Sequence, residues 1–219
     1  LAASARMAAF RLPVPGAMYD LPTPLGWRLL HDGVPIWQGS AARVVLLMDA
    51  LTPACRYRLE VEGAEPLEFA TAVCAGEVRP DGLVPDAAPD DQDAARVNAA
   101  ALAAAVAAVP AGGTLVLPAG NWLSLPVSLR SEMTLHLARG AVLRAPSRRD
   151  GWPILPARDA AGRMLGSWEG LPEACFAAPV HAIGANRLVI EGAGTLDGSG
   201  ALGDWWTWPK ETRKGARRP

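Results

Sequence analysis

The sequence predicts an all-β chain in which a small β-sandwich precedes the N-terminal coils of a right-handed parallel β-helix. Three observations carry this reading. From Pro110 to Arg144, short apolar runs alternate with Pro and Gly (PAGGTLVLPAGNWLSLPVSLRSEMTLHLARGAVLR). Strands so short and so closely punctuated leave no room for the helices that βαβ units need. From Arg187 to Gly200 the same grammar returns as strand, Gly turn, strand, Gly turn. From Arg11 to Cys74 the alternating runs and turn pairs are those of antiparallel strands. A β-helical coil cannot bury its own apolar edge and must stack on neighbours.

The opening LAASARMAAF is alanine-rich and reads equally as a short disordered arm or as the end of a processed signal segment. The sandwich is expected over 11–78. Trp27 to Leu30, a turn at Asp32-Gly33, and Val34 to Trp37 form a hairpin. Val44 to Met48 reads as a buried strand, Tyr57 to Val61 alternates until Glu62-Gly63, and Leu67 to Val73 supplies the last strand. The stretch is short for seven strands, so some are expected to be reduced.

Residues 79–92 form a linker rich in proline (Pro80, Pro85, Pro89) and aspartate. The alanine run that follows has no Pro or Gly before Pro110, which predicts a helix over 93–109. Val97, Ala101, Leu102, Ala105 and Val109 fall near one face. A helix here caps the open end of the first coil, covering apolar edges and unpaired backbone. The coils then occupy the rest of 93–219, with about three legible and no closing cap after Asp197, so the stack is expected to be incomplete at its C-terminal end. Between Pro146 and Ala178 the alternation fails. Trp152, Trp168 and Phe176 there predict a packed excursion from one coil, rejoining near His181 and the strand at Leu188 to Ile190.

The 219 residues are 50% apolar with a net charge of -1, which describes a folding chain without electrostatic steering towards nucleic acid. No run of 18 apolar residues spans a membrane. Cys55, Cys74 and Cys175 do not make a disulfide scaffold. A Cys55–Cys74 bridge is open if their strands are neighbours, and buried thiols are the default. No Cys/His spacing resembles a metal site, and no cofactor is expected. Asp90-Asp91 is a carboxylate pair lying in the linker, which argues against catalysis. Asp197 sits in a Gly-rich turn, where a carboxylate most often ties its own backbone. His181 is expected at a coil edge and His31 in solvent beside its turn.

Two resemblances follow. Leu51, Pro53, Tyr57 and Val61 match the Leu-x-Pro-x-x-x-Tyr-x-x-x-Val segment of fibronectin type III modules, which space, dock or shield and rarely catalyse. The stretch from Asp86 to Trp206 resembles the pectin-degrading, polygalacturonase-type glycoside hydrolases. The matching residues are Gly112, Gly113, Thr114, Leu115, Pro118, Gly120 and Trp122. Val127, Leu129, Ser131, Met133, Thr134, Leu135 and Leu137 continue the match into Gly140, Ala141 and Leu143. The family's Gly-x-Gly-Thr-Ile-Asp-Gly-x-Gly-x-x-x-Trp-Trp is matched at Gly192, Gly194, Thr195, Leu196, Asp197, Gly198, Gly200, Trp205 and Trp206.

This resemblance implies an inverting hydrolase of α-linked galacturonate, acting without metal on pectic polysaccharide or oligosaccharide, in the periplasm or outside a bacterial cell. One aspartic acid protonates the glycosidic oxygen and an aspartate pair activates water. The family's Asn-x-Asp, Asp-Asp, Gly-His-Gly and Arg-x-Lys motifs lie on later coils than any present here. The catalytic residues are therefore expected beyond residue 219, on coils continuing this chain or on a cleaved companion, and the segment alone is expected to be inactive. A fibronectin-like module before the helix tilts the reading towards exo action. Trp205, Trp206 and Trp208 are the candidate sugar-stacking residues, and Arg213 and Lys214 the candidate partners of a uronate carboxylate. The alternatives are a rhamnogalacturonan-type hydrolase, a polysaccharide lyase of the same architecture, and a carbohydrate-binding β-helix without activity.

Overall fold

The computed structural model describes residues 2–203, which are mostly β-strand, in several sheets, with one helix. The chain forms two compact units that divide between Ala75 and Gly76.

The first unit contains two antiparallel sheets. One has the order Ala2–Ala3, Ala8–Arg11, Val45–Met48 and the other Val34–Arg43, Asp20–His31, Arg56–Val61, Leu67–Ala70. The expected hairpin is present. Asp32 and Gly33 have φ of 50° and 77°, the pair of positive values that lets a two-residue turn follow the twist of its strands. The opening is not a disordered arm, since Ala2–Ala3 and Ala8–Arg11 pair as strands. Ala8 and Phe10 alternate inward and are buried, so Ala8–Arg11 pairs with Val45–Met48. Alanine is a poor indicator of strand, and only Phe10 marks this one in the sequence.

Both sheets contribute to one core. Phe10, Leu46 and Met48 come from the smaller sheet, and Leu29, Tyr57, Leu59 and Phe69 from the larger. Phe10 meets Phe69 edge to face at 5.1 Å, and Tyr57 stacks on Phe69 at 5.5 Å. Tyr57 is buried, yet its hydroxyl accepts a 2.9 Å hydrogen bond from the Thr52 amide, five residues upstream. Cys55 and Cys74 form no disulfide and are half-buried, as is Cys175 in the second unit. Half-burial departs from the default of buried thiols, because Cys55 lies at a strand edge where its amide is occupied by Thr71 Oγ1.

The second unit is built on three parallel ladders. Glu77–Val78, Gly113–Leu117, Met133–Leu137 and Leu188–Gly192 form the first, so that Leu115, Leu135 and Ile190 share one line. Gly120–Leu123, Ala141–Arg144 and Thr195–Asp197 form the second, and Val127–Leu129 pairs with Val180–Ala182 in the third. Among the described residues, three rungs thus contribute a strand to the first ladder and then to the second, and the first two of them also to the third. The residue before each of the three longer first-ladder strands, Gly112, Glu132 or Arg187, has positive φ (76°, 59°, 52°). Their backbones connect the rungs: the Gly112 amide donates to Glu132 O at 2.7 Å and the Glu132 amide to Asn186 O at 2.9 Å.

The helix spans Gln92–Ala108. Asp91 is its N-cap, accepting from the amides of Asp93 and Ala94 at 3.1 and 2.9 Å. The buried face is Ala94, Ala95, Asn98, Leu102, Ala105 and Val106, with the C-cap Val109 also buried. The face lies about one residue away from the expected one, so Val97 is 48% exposed. Asn98 explains the rotation. Its side chain accepts from the Val84 amide (2.7 Å) and donates to the carbonyls of Val84 (2.9 Å) and Leu123 (2.8 Å), binding the helix to the preceding segment and to the first rung. The Arg130 guanidinium donates to the carbonyls of Val106 and Val109, supplying the cation that the last helical turn lacks. Leu102, Ala105, Val106 and Val109 pack with Leu115, Leu117, Val127 and Leu129.

The excursion leaves after Arg144 and returns at Val180. It is a nest of antiparallel pairs, Ile154–Leu155 with Cys175–Phe176 and Ser167–Trp168 with Leu171–Pro172. Trp152 is buried at its root, donating to Ala177 O at 2.8 Å and meeting Phe176 edge-on at 6.5 Å.

Candidate functional site

The five residues expected to touch substrate, Trp205, Trp206, Trp208, Arg213 and Lys214, lie outside the described residues. What is described is the platform from which that segment departs. Ladder register places Arg144 opposite Asp197, and the Arg144 Nε donates to Asp197 Oδ2 at 2.8 Å with each side chain 34% exposed. The other carboxylate oxygen accepts the Ser199 amide at 2.9 Å, and the Ala145 amide donates to Asp197 O at 2.8 Å. Ser199 is buried and donates from Oγ to Ala145 O at 2.6 Å. Ser147 in turn donates from both its amide (2.8 Å) and Oγ (3.1 Å) to Pro89 O. The chain passes so close at Gly203 that a Cβ there would lie 2.3 Å from Ser147 O. Its positive φ of 66° suits glycine as well.

The electrostatics of this platform are those of an anchor. The Ser199 amide, then the Arg144 guanidinium, hold the Asp197 carboxyl below the ordinary carboxylate range, against the modest opposing effect of burial. A carboxyl kept ionised in this way is unsuited to donating a proton to a glycosidic oxygen near neutral pH. It ties the turn after Asp197 to the previous rung. Asp159 is held low similarly, first by the Arg163 side chain and then by the Arg163 amide, within the loop at 159–163.

Of the other residues singled out, Asp91 caps the helix and so has a structural task that the sequence reading did not assign. His181 lies on Val180–Ala182, its Nδ1 3.2 Å from Ala178 O. His31 is only partly solvated: Nδ1 lies 2.9 Å from Arg56 O and the ring sits 5.2 Å from Tyr57. Parity explains this, since His31 follows Leu29 on the strand face turned to the core.

One pair escaped the sequence reading. His136 and Glu191 are register partners on neighbouring rungs, with Nδ1 facing Oε1 at 3.3 Å and side chains only 6% and 7% exposed. The sequence offers no signal for it, because the partners are set together by register across the intervening excursion. Among the described residues, no group of three or more His, Cys, Asp or Glu gathers at metal-binding distance. No described helix is long and apolar enough to cross a membrane.

Comparison with known structures places this fold. A family 28 exopolygalacturonase of Yersinia enterocolitica aligns with 91% of this chain, with a TM-score of 0.56 and 16% sequence identity. An exopolygalacturonase of Thermotoga maritima aligns with 55% of the chain at 22% identity and a TM-score of 0.43. The chain spans 40% of the first of these proteins and 26% of the second. At these identities the likeness to the Yersinia enzyme is one of fold. No family model matches the sequence, and no curated protein matches it.

Proposed function

We propose that the chain is the front part of an inverting glycoside hydrolase that cleaves α-linked galacturonate or related pectic bonds. In this reading 11–78 is a fibronectin type III-like sandwich and 79–92 its linker. Residues 93–219 begin a right-handed parallel β-helix whose first coil is capped by the helix. The catalytic aspartates lie on coils past residue 219, and the segment alone has no activity. The observation that carries the proposal is the set of in-register parallel ladders, entered through a capped helix, in a chain whose fold matches an exopolygalacturonase over nine-tenths of its length. The buried Tyr57, with its hydroxyl bonded to Thr52 five residues back, supports the sandwich assignment, since a tyrosine at a sandwich corner bonds backwards in this way.

Within this reading, Trp205, Trp206 and Trp208 stack on sugar faces while Arg213 and Lys214 pair with uronate carboxylates. A periplasmic or secreted bacterial location follows from the polysaccharide substrate. Exo action is the favoured mode. The test is an assay of the full-length protein on polygalacturonate and on tetragalacturonate. Mono- or digalacturonate as the first product, without unsaturated ends, supports the reading. Unsaturated products indicate a lyase, and binding without cleavage indicates an adhesive β-helix.

A further inference from the structure

Strand Val34–Arg43 is an edge of the larger sheet of the first unit. Asp20–His31 pairs with one side of it, and no described strand pairs with the other. All residues from Val34 to Ser40 are exposed. An edge strand turns backbone N–H and C=O groups outward at alternate residues, and native edges are guarded by charge, proline, a bulge or brevity. This strand is 10 residues long and carries no charged side chain from Val34 to Ala42. Its guards stand at one end only. There Pro35 lacks an amide proton, and a register shift leaves Ile36 without a partner between Pro35 and Trp37. From Gly39 to Ala42 the side chains are small and neutral, so a second backbone can come close. The margin beside them is apolar and uncovered. Val34, Ile36 and Trp37 are 62%, 41% and 37% exposed, although Trp37 is the register partner of the fully buried Leu29.

Charge selects the occupant. The neutral stretch is bounded by Asp32, in the turn before it, and by Arg43 at its end, with side chains 85% and 81% exposed. Their partners within the chain, His31 at 3.6 Å and Asp20 at 3.8 Å, are exposed contacts of little strength. An antiparallel copy of the same strand sets each Arg43 end beside the other copy's Asp32 end, with neutral residues against neutral residues between. A parallel copy would set like charges together. A two-fold axis through the strand makes the antiparallel contact self-complementary, and each copy covers the other's open edge.

We propose that two copies of this chain associate by antiparallel pairing of Val34–Arg43, which joins their larger sheets into one continuous sheet. The contact lies wholly in the first unit and is independent of whether the parallel ladders belong to a hydrolase. The test is sedimentation equilibrium of the 1–219 chain and of Ser40→Lys, Arg43→Glu and Ile190→Lys, with circular dichroism to verify that each variant is folded. Ser40 and Arg43 are exposed, and Ile190→Lys controls for association through the last rung. A dimer with Kd below about 100 µM, weakened at least about tenfold in both Ser40→Lys and Arg43→Glu and unchanged in Ile190→Lys, supports the pairing. A chain that stays monomeric to that concentration overturns it. So does a dimer that survives either edge substitution in a folded variant, or one that Ile190→Lys dissociates.

Discussion

The first and last rungs of the parallel ladders are made of similar apolar strands and differ in what covers them. Gly113–Leu117 is buried at every position, with the helix residues Leu102, Ala105 and Val106 packed in the same core. Leu188–Gly192 and Thr195–Asp197 stack on the rung before them, yet Val189, Ile190 and Leu196 are 39%, 48% and 47% exposed. The middle rung, flanked on both sides, is buried at Met133, Leu135, Leu137, Ala141 and Leu143. Burial in this architecture is therefore a property of the neighbouring rung rather than of the strand. A stack contributes stability as a sum of interfaces, and a strand flanked on one side holds only half of its share.

Mutations sharpen that contrast, beginning with the one expected to break it. Gly192 has φ of 116°, and a Cβ there would lie 2.0 Å from Leu137 O, so Gly192→Ala pushes the last rung off the middle one. It should cost ~3 kcal/mol or more by denaturant unfolding, and a loss below about 1 kcal/mol would refute the close stacking. Leu135 and Ile190 are register partners and form a matched pair. Leu135→Ala should cost about 2–5 kcal/mol by cavity formation, whereas Ile190→Ala should cost about 1 kcal/mol. Equal costs would show that exposure does not distinguish the rungs.

Asn98→Ala removes the three bonds that hold the helix to Val84 and Leu123 and strands two carbonyls and an amide. A loss of about 2–3 kcal/mol is expected, with the helix the first element to lose hydrogen-exchange protection. The smallest effect is expected at Asp197. Its folded-state pKa lies below the unfolded value, so its contribution is present above the unfolded pKa and is lost as pH falls through the folded one. Asp197→Asn should therefore lower stability by less than about 1 kcal/mol at pH 7, given its partial exposure, and should flatten the acid limb of the stability curve. An unchanged acid limb would remove Asp197 as its source.

How far these elements were readable depended on whether their causes were local. The hairpin at Asp32-Gly33 and the helix after Asp91 declare themselves through turn chemistry and alanine propensity; the helix forms within one residue of its predicted limits, and the hairpin turns where expected on strands, Asp20–His31 and Val34–Arg43, that run well past the predicted ones. The Asp197 turn was legible because its carboxylate bonds an amide two residues on. Ala8–Arg11 was not, because a strand of small residues is specified by the edge it joins. The helix face was misplaced by one residue because apolar periodicity weights Val97 above Asn98, while the Val84 amide and the carbonyls of Val84 and Leu123 require the asparagine inside. The pair of His136 and Glu191, and the arrival of Arg130 at the helix end, depend on register between rungs, which no single stretch encodes.

On the proposed reading, the last described rung is an interior rung of a longer stack. Its most direct test is amide hydrogen exchange over Leu188–Gly192, measured in the 1–219 chain and in the full-length protein. The account predicts rapid exchange in the shorter chain for amides not bonded to Met133–Leu137, and at least tenfold slower exchange for the same amides in the longer protein, with Gly113–Leu117 unchanged. Identical exchange of this strand in both would contradict it, leaving the exposed edge as a surface of the native protein.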